Sequence, residues 1–354
     1  MGAPGVAATM AKPQDIKVLL VGDFPPPSGG IATHVDELHR AVRGGGGRCE
    51  VLDIGKGQLP ADGVVSAGGP TRFSALLASY AARGFRIHVH TNGANLKSWM
   101  VAAACSAAGK LSGVAPLLTL HSGLILEWLA ESPARRAVAR AVASQFGTVI
   151  AVSEPIREAL AACGVQRVEV LPAFSGRFLR PGAPPPGLRE LRETASPLLC
   201  AMAVVSRPEY GLSVLLRALA EVRARKPRAA LALFGPGTDG VREAGVHGFG
   251  ELHRPQALAL LSASDVFVRP TLADGDSVSV REALALGRSV VATTVGSRPP
   301  EVRLVPPGDA PALATALLAA AQEVEARPTR AATAPADGVQ RVLSLYGVPA
   351  SAAS

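Results

Sequence analysis

Short continuous apolar runs alternate along the chain with longer stretches whose apolar positions recur every three or four residues. KVLLVGDF (17–24) is a run of the first kind and reads as a strand buried on both faces. After a Pro/Gly loop, IATHVDELHRAVR has helical spacing. The alternation repeats with RIHVHT (86–91) and the helical NLKSWMVAAACSAAGKL, then APLLTLHSG, TVIAVS (148–153), EPIREALAACG and VEVLPAF (168–174). RFLRPGAPPPGLRELRE, rich in Pro, Gly and Arg, interrupts the pattern and reads as a linker. The alternation then resumes: PLLCAMAVV, YGLSVLLRALAEVRARK, AALALFGPG, RPQALALLSAS, DVFVRPT, a further helix, SVVATTVG, the helical APALATALLAAAQEV and a short final helix in ADGVQRVLSLYG.

Strands that alternate with helices predict parallel, doubly wound sheets. The expected fold class is therefore α/β, with two Rossmann-like domains whose sheets face each other across a cleft. The expected bounds are 1–176 for the first domain, 177–195 for the linker, 196–330 for the second domain and 331–354 for a C-terminal helix and tail. Ligands of open α/β sheets bind outside the carboxyl ends of the strands, so the cleft would be lined by those ends.

Composition sharpens this. Only 18% of the 354 residues are charged and 48% are hydrophobic, with few aromatics, so the cores are expected to be built from Ala, Val and Leu. Cys49, Cys105, Cys163 and Cys200 are scattered without C-x-x-C spacing, which fits reduced thiols in a cytoplasmic protein. The N-terminal MGAPGVAATMAKPQD lacks the charged and apolar regions of a signal peptide, and Gly, Pro, Ser and His break the most apolar stretch before it could span a membrane. The net charge of +8 admits anionic partners. Arginines cluster at Arg135, Arg136 and Arg140, at Arg177 to Arg192 and at Arg223 to Arg228, without interleaved aromatics. That argues against nucleic acid and leaves solvated helix faces or an anionic membrane surface.

The polar groups that break the apolar runs are the candidate chemistry. Gly29 and Gly30 stand directly before a helix, as an ordinary glycine turn does and as a phosphate-binding loop does. His121, in TLHSG, ends a strand on the cleft side. A lone histidine there suits a structural role as well as a ligand contact. His88 and His90 alternate within a strand, a pattern of burial rather than of metal binding, and no metal-ligand set is spaced along the chain. GPGTDG satisfies G-x-G-x-x-G with Gly235, Gly237 and Gly240. Pro236 intrudes, however, and the helix after it is too short for a dinucleotide unit.

RPTLADGDSVSVREALALG (269–287) concentrates the most. Ser277 or Ser279 can cap the helix, and Ser279 with Glu282 fits a capping box. The same geometry places Asp274 before the helix, backbone N–H groups at Ser277 to Val280 in the cleft, and Glu282 one turn in.

With these motifs the chain resembles a family-four (group 1) retaining glycosyltransferase of the GT-B fold. The resemblance runs through SGGIATHV, LHSG, VIAVSEPIREAL, YGLSVLLRALAEV, LFGPG, ASDVFVRPT and DGDSVSVREALALG, nearly the whole chain. The family's signature of two acidic residues separated by seven others falls on Asp274 and Glu282, with aspartate where glutamate is usual. The resemblance implies that Asp274 contacts the donor sugar, Glu282 the ribose, Gly29 and Gly30 the diphosphate, and His121 the transferred sugar. It implies a donor site completed by Arg207, Gly235, Gly237, Arg269, Gly275, Asp276, Ser277, Val278 and Ser279, with no metal and no cofactor. The family also carries an arginine and a lysine that hold the diphosphate. Those positions fall on Val205 and Tyr210, and Arg207, Arg269 and Arg281 are the candidates to supply the charge instead.

The expected function is transfer of a sugar from a nucleotide diphosphate donor to an acceptor hydroxyl with retention. It would be a metal-independent, hexosyl-type reaction in bacterial polysaccharide or glycolipid assembly. The enzyme would be cytoplasmic or peripheral at the inner face of the membrane, with a lipid-linked or saccharide acceptor. The alternatives are a non-catalytic nucleotide-sugar-binding sensor or scaffold, and a sugar-nucleotide epimerase.

Overall fold

A computed structural model describes residues 15–26, 29–55, 61–326 and 337–348. Most of the N-terminal stretch read above for a leader lies outside these residues, as do 331–336 and 349–354 of the expected tail. Two wholly parallel sheets organise the chain. The first has seven strands in the order β3-β2-β1-β4-β5-β6-β7 and the second six in the order β10-β9-β8-β11-β12-β13.

In the first sheet these are β1 (Lys17–Gly22), β2 (Arg48–Asp53), β3 (Val64–Ser66), β4 (Arg86–Thr91), β5 (Leu117–Leu120), β6 (Thr148–Ala151) and β7 (Val168–Val170). In the second they are β8 (Leu198–Met202), β9 (Ala230–Phe234), β10 (Val246–Gly248), β11 (Val266–Arg269), β12 (Ser289–Thr293) and β13 (Arg303–Val305). The order reverses between β1 and β4 and again between β8 and β11, so each sheet has one switch point where a crevice opens at the strand ends.

Helices cover both faces of each sheet, which is why the central strands are apolar throughout rather than alternating: Val18 to Val21 and Leu198 to Cys200 are all fully buried. The loop from β1 leads into α1 (Gly30–Gly44); α2 (Pro70–Ala82), α3 (Leu96–Ser112), α4 (Leu124–Ala130), α5 (Pro133–Ala143) and α6 (Glu154–Ala162) complete the first domain's crossovers. Around the second sheet lie α7 (Leu188–Thr194), α8 (Leu212–Arg225), α9 (Arg254–Ala263), α10 (Val278–Ala285) and α11 (Ala310–Ala326). Among the described residues no helix is long and apolar enough to cross a membrane. All four cysteines are free, and only Cys163 is not buried.

Several expectations change here. The strand expected over 168–174 stops at Val170, just ahead of Pro172, which has no N–H for the ladder. The stretch 177–195 is not an open linker throughout: its second half forms α7, whose Leu188 and Leu191 pack into the second sheet's core. The last helix, α12 (Gly338–Tyr346), returns to the first sheet, where Val339, Val342, Leu343 and Tyr346 join a cluster with Ile16, Val18 and Leu20.

Candidate functional site

The exits of β1, β5, β8, β9 and β11 converge on one cavity of about 520 Å³ between the two sheets. Its walls include Gly29, Gly30 and His121 from the first domain and Arg207, Gly235, Arg269, Asp274 to Ser279 and Glu282 from the second. Thirteen of the fourteen residues singled out in the sequence therefore meet in space. Gly237 is the exception: it takes a positive φ of 80° in the turn after β9, with its Cα side against Val205, and does not reach the cavity.

Two helices begin at this cavity without a side-chain cap. Gly29 is the N-cap of α1, in extended backbone, and offers no side chain. Ser277 is the N-cap of α10 and makes no side-chain cap bond. Its hydroxyl instead meets the Ser279 hydroxyl at 3.1 Å, so the capping box expected between Ser279 and Glu282 does not form. The physical reason is a stronger partner, because Glu282 turns its carboxylate to the Arg254 guanidinium. The two helix starts face each other closely: a Cβ added at Gly30 would stand 3.9 Å from Val278. Unsatisfied N–H groups and the positive ends of both helix dipoles thus meet across the cleft, a setting that attracts an anion.

Close approach of the domains is written into the glycines. A Cβ at Gly123 would overlap the Asp274 carbonyl oxygen, and one at Gly275 would stand 2.8 Å from the His121 carbonyl oxygen.

The carboxylates of the 269–287 segment are engaged within the protein. Asp274 accepts from Arg269 Nε at 3.0 Å, Arg298 Nη2 at 2.9 Å and the Thr271 hydroxyl at 3.2 Å. Its other oxygen accepts from its neighbour's N–H, Gly275 N, at 3.0 Å. Burial alone would raise this carboxyl, but the Arg269 and Arg298 guanidiniums outweigh it and hold the pKa at about 2. Asp276 is closed off in the same way, with both oxygens 2.8 Å from Arg281 Nε, and burial raises its pKa against that pairing. Arg281, offered above as a diphosphate cation, is thereby committed to Asp276, and the Asp276 side chain is not open to a ligand as expected. Arg269 is also committed to a carboxylate, yet it still lines the cavity, with its guanidinium 5.2 Å from the centre of the Tyr210 ring. It therefore lies against Tyr210, one of the two positions where the resemblance leads one to expect a cation. Arg207 is largely exposed at the rim, with Glu209 4.0 Å away.

His121 is not alone. Its Nε2 lies 3.1 Å from His90 Nδ1, and the His34 ring packs edge-on against both, at 5.4 and 5.5 Å between centres. His88 continues the column to Thr119 at 2.7 Å and to the Tyr346 hydroxyl on α12. Burial lowers His34 to about 4 and holds His88, His90 and His121 well below the usual histidine range, so the column is neutral. At the cavity wall His121 is a hydrogen-bonding group and not a charge. Among the described residues no group of three or more His, Cys, Asp or Glu is placed to hold a metal.

Sequence reasoning missed Arg298, Arg254, Glu37 and His34. Only His34 left a signal, lying four residues after Gly30 in the conspicuous GGIATHV.

The basic cluster on α5 carries less free charge than its sequence suggests, since Arg135 pairs with Glu131 and Arg136 donates to the Leu129 carbonyl. On α3, however, Leu96, Met100 and Leu111 are 57%, 65% and 76% exposed. At 100° per residue they fall in one sector about 60° wide.

Two family models match the chain: Glycosyltransferase Family 4 over residues 28–174 and Glycosyl transferases group 1 over residues 196–323. No curated protein matches the sequence. Solved structures share its fold. Sucrose-phosphate synthase from Thermosynechococcus elongatus has a TM-score of 0.65 and 21% identity, covering 93% of this chain and 95% of its own. A glycosyltransferase from Rickettsia africae superposes with a TM-score of 0.65 at 16% identity, covering 93% and 98%. A Listeria monocytogenes protein described as a putative UDP-N-acetylglucosamine 2-epimerase gives 0.62 at 13%, covering 93% and 95%. Both sheets have the doubly wound order and both halves match, so the chain belongs to the group 1 glycosyltransferases of the GT-B fold.

Proposed function

We propose that the protein transfers a hexosyl group from a nucleotide diphosphate sugar to an acceptor hydroxyl, with retention of configuration and without a metal. The observation that carries this reading is the meeting of two uncapped helix starts, Gly29–Gly30 and Ser277–Ser279, at the shared strand-end cavity. A diphosphate there would be held by backbone N–H groups and two dipoles, with Arg207 at the rim and Arg269 over Tyr210 in place of the absent Arg/Lys pair. Glu282 would take the ribose, while Asp274 and neutral His121 would line the sugar. The departing diphosphate would accept the acceptor's proton on the same face, so catalysis would rest on positioning and on excluding water.

The acceptor would bind the first domain. The exposed apolar line on α3, flanked by Lys97 and Lys110, suits a lipid-linked acceptor at an anionic membrane surface, as in bacterial polysaccharide or glycolipid assembly in the cytoplasm.

The test is nucleoside diphosphate release from UDP-, GDP-, ADP- and dTDP-sugars, with and without a lipid extract, for wild type and Glu282→Ala. Release by wild type alone, stimulated by extract, supports transfer and identifies the donor. Consumption of a nucleotide sugar with no acceptor and no diphosphate released would point to an epimerase. A second reading rests on Val205 and Tyr210 and on the internal pairing of Asp274: a non-catalytic nucleotide-sugar sensor. Tight binding of one nucleotide without turnover would favour it.

A further inference from the structure

Glu282 is held by an arginine of its own domain that a carboxyl of the other domain holds in turn. Arg254, the first residue of α9, places Nε 3.1 Å and Nη2 3.0 Å from Glu282 Oε1. The same Nη2 lies 2.5 Å from Oε1 of Glu37, on α1 of the first domain. Glu37 is 1% exposed, and its Oε2 is buried with no hydrogen-bond partner among the described residues. Asp36 beside it is taken by Arg40. Glu37 therefore has no bonding role inside the first domain's fold. Burying a carboxyl there is unfavourable on its own, and the group that offsets it belongs to the opposite domain. Two turns earlier on the same helix, Gly30 faces Val278 at the start of α10, so α1 meets the second domain at a second point.

Resting on the donor reading above, we propose that Glu37 is a positioning residue. On closure it engages Arg254 Nη2, Arg254 fixes Glu282 Oε1, and the second oxygen of Glu282 is left facing the nucleotide ribose. Domain closure and the grip on the nucleotide are then one event. In an open molecule Arg254 would keep Glu282 but lose the strut that fixes its own orientation. Burial pushes the Glu37 carboxyl up to about 8 against the pull of Arg254. Glutamine keeps an acceptor oxygen for Arg254 at the same length.

The experiment uses the full chain as wild type, Glu37→Ala, Glu37→Gln, Arg254→Ala and the Glu37→Ala/Arg254→Ala double variant, each checked for folding by circular dichroism. Binding of UDP, GDP, ADP and dTDP is measured by calorimetry, and the radius of gyration by small-angle X-ray scattering. Glu37→Ala is expected to enlarge the radius and weaken the tightest nucleotide about tenfold, within the range of ordinary coupling energies. Glu37→Gln is expected to restore both, and the double variant to be no worse than Arg254→Ala alone. If Glu37→Ala does not fold, Glu37→Met, similar in length but without an acceptor, carries the same expectations. Unchanged radius and affinity in the Glu37 variant, or additive losses in the double variant, would overturn the proposal. If wild type binds none of the four nucleotides, the donor reading falls and takes the ribose half with it. An enlarged radius in Glu37→Ala and in Arg254→Ala, absent in Glu37→Gln, would still establish the latch, and an unchanged one would remove that too.

Discussion

Asp274 sits between Arg269 at the end of β11 and Arg298 beyond β12, and it is the one carboxylate that both guanidiniums share. Arg298 is 3% exposed, so removing Asp274 would leave a buried cation without its counter-charge. Asp274→Asn is expected to cost about 3 kcal/mol at pH 7, read from the urea midpoint. The pH dependence has a definite sign. The folded carboxyl titrates at about 2 and an unfolded one near 3.8, so the unfolded state binds more protons between those values. The ion pair's contribution, about 2.5 kcal/mol at ~1.4 kcal/mol per pKa unit, is present above pH ~4 and is lost as pH falls towards 2. The gap between wild type and Asp274→Asn should therefore narrow over that window, and a constant gap would show that the pairing does not set the pKa. Asp274, Glu282, Gly29, Gly30 and His121 were legible because each lies in a polar break beside an apolar strand or a helix start. Arg298, Arg254 and Glu37 were not, since their meaning comes from a partner far along the chain. Arg254 and Glu37 are 217 residues apart.

At the scale of elements, the starts of α1 and α10 are left open at the cavity, whereas Asn95, Ser132 and Asp337 cap α3, α5 and α12. Gly29→Asp separates stability from function here. A Cβ at Gly29 meets nothing within 4 Å, and aspartate is a good N-cap, so the melting temperature should hold or rise slightly. A carboxylate placed there would repel a diphosphate, and nucleotide binding should fall by at least about tenfold, ~1.4 kcal/mol. Weaker folding with binding intact would contradict the anion site. On α3, Met100→Glu and Leu111→Glu should each reduce sedimentation with vesicles containing phosphatidylglycerol while leaving the melting temperature unchanged, since both side chains are exposed. Equal sedimentation of all three proteins would remove the membrane role. The strands β1, β4, β8, β9, β11 and β12 and the helices α1, α3, α8 and α11 could be read from periodicity because burial on both faces or on one stripe imposes it, whereas β2 and α2, long enough to show a period, were not among the expected elements. The strands β3, β10 and β13 could not, being three residues each and too short to show a period; β7, equally short, was legible only as part of the longer run VEVLPAF. Helix α7 was hidden by the Pro/Gly-rich segment that precedes it.

For the whole molecule, the contact between domains passes through groups that titrate. Glu37 faces Arg254 on α9, Glu282 on α10, and Asp36 with its partner Arg40 on α1. Its carboxyl is raised to about 8 by burial against the pull of Arg254, so a form in which opening exposes it to water would bind fewer protons between pH ~4.5 and 8. Closure is thus favoured at the acid side of that window and weakens as pH rises through it. The radius of gyration should grow between pH 6 and pH 9 in wild type and stay constant in Glu37→Gln; equal growth in both would place the titration elsewhere. The return of α12 to the first sheet has a further consequence, one of time rather than of energy. Residues Val339 to Tyr346 close the cluster around Ile16, Val18 and Leu20, yet they are synthesised after the entire second sheet. Domains ordinarily fold in order as they leave the ribosome. Here the second domain can complete itself while the first, made earlier, still waits with one apolar face uncovered for the last helix to emerge.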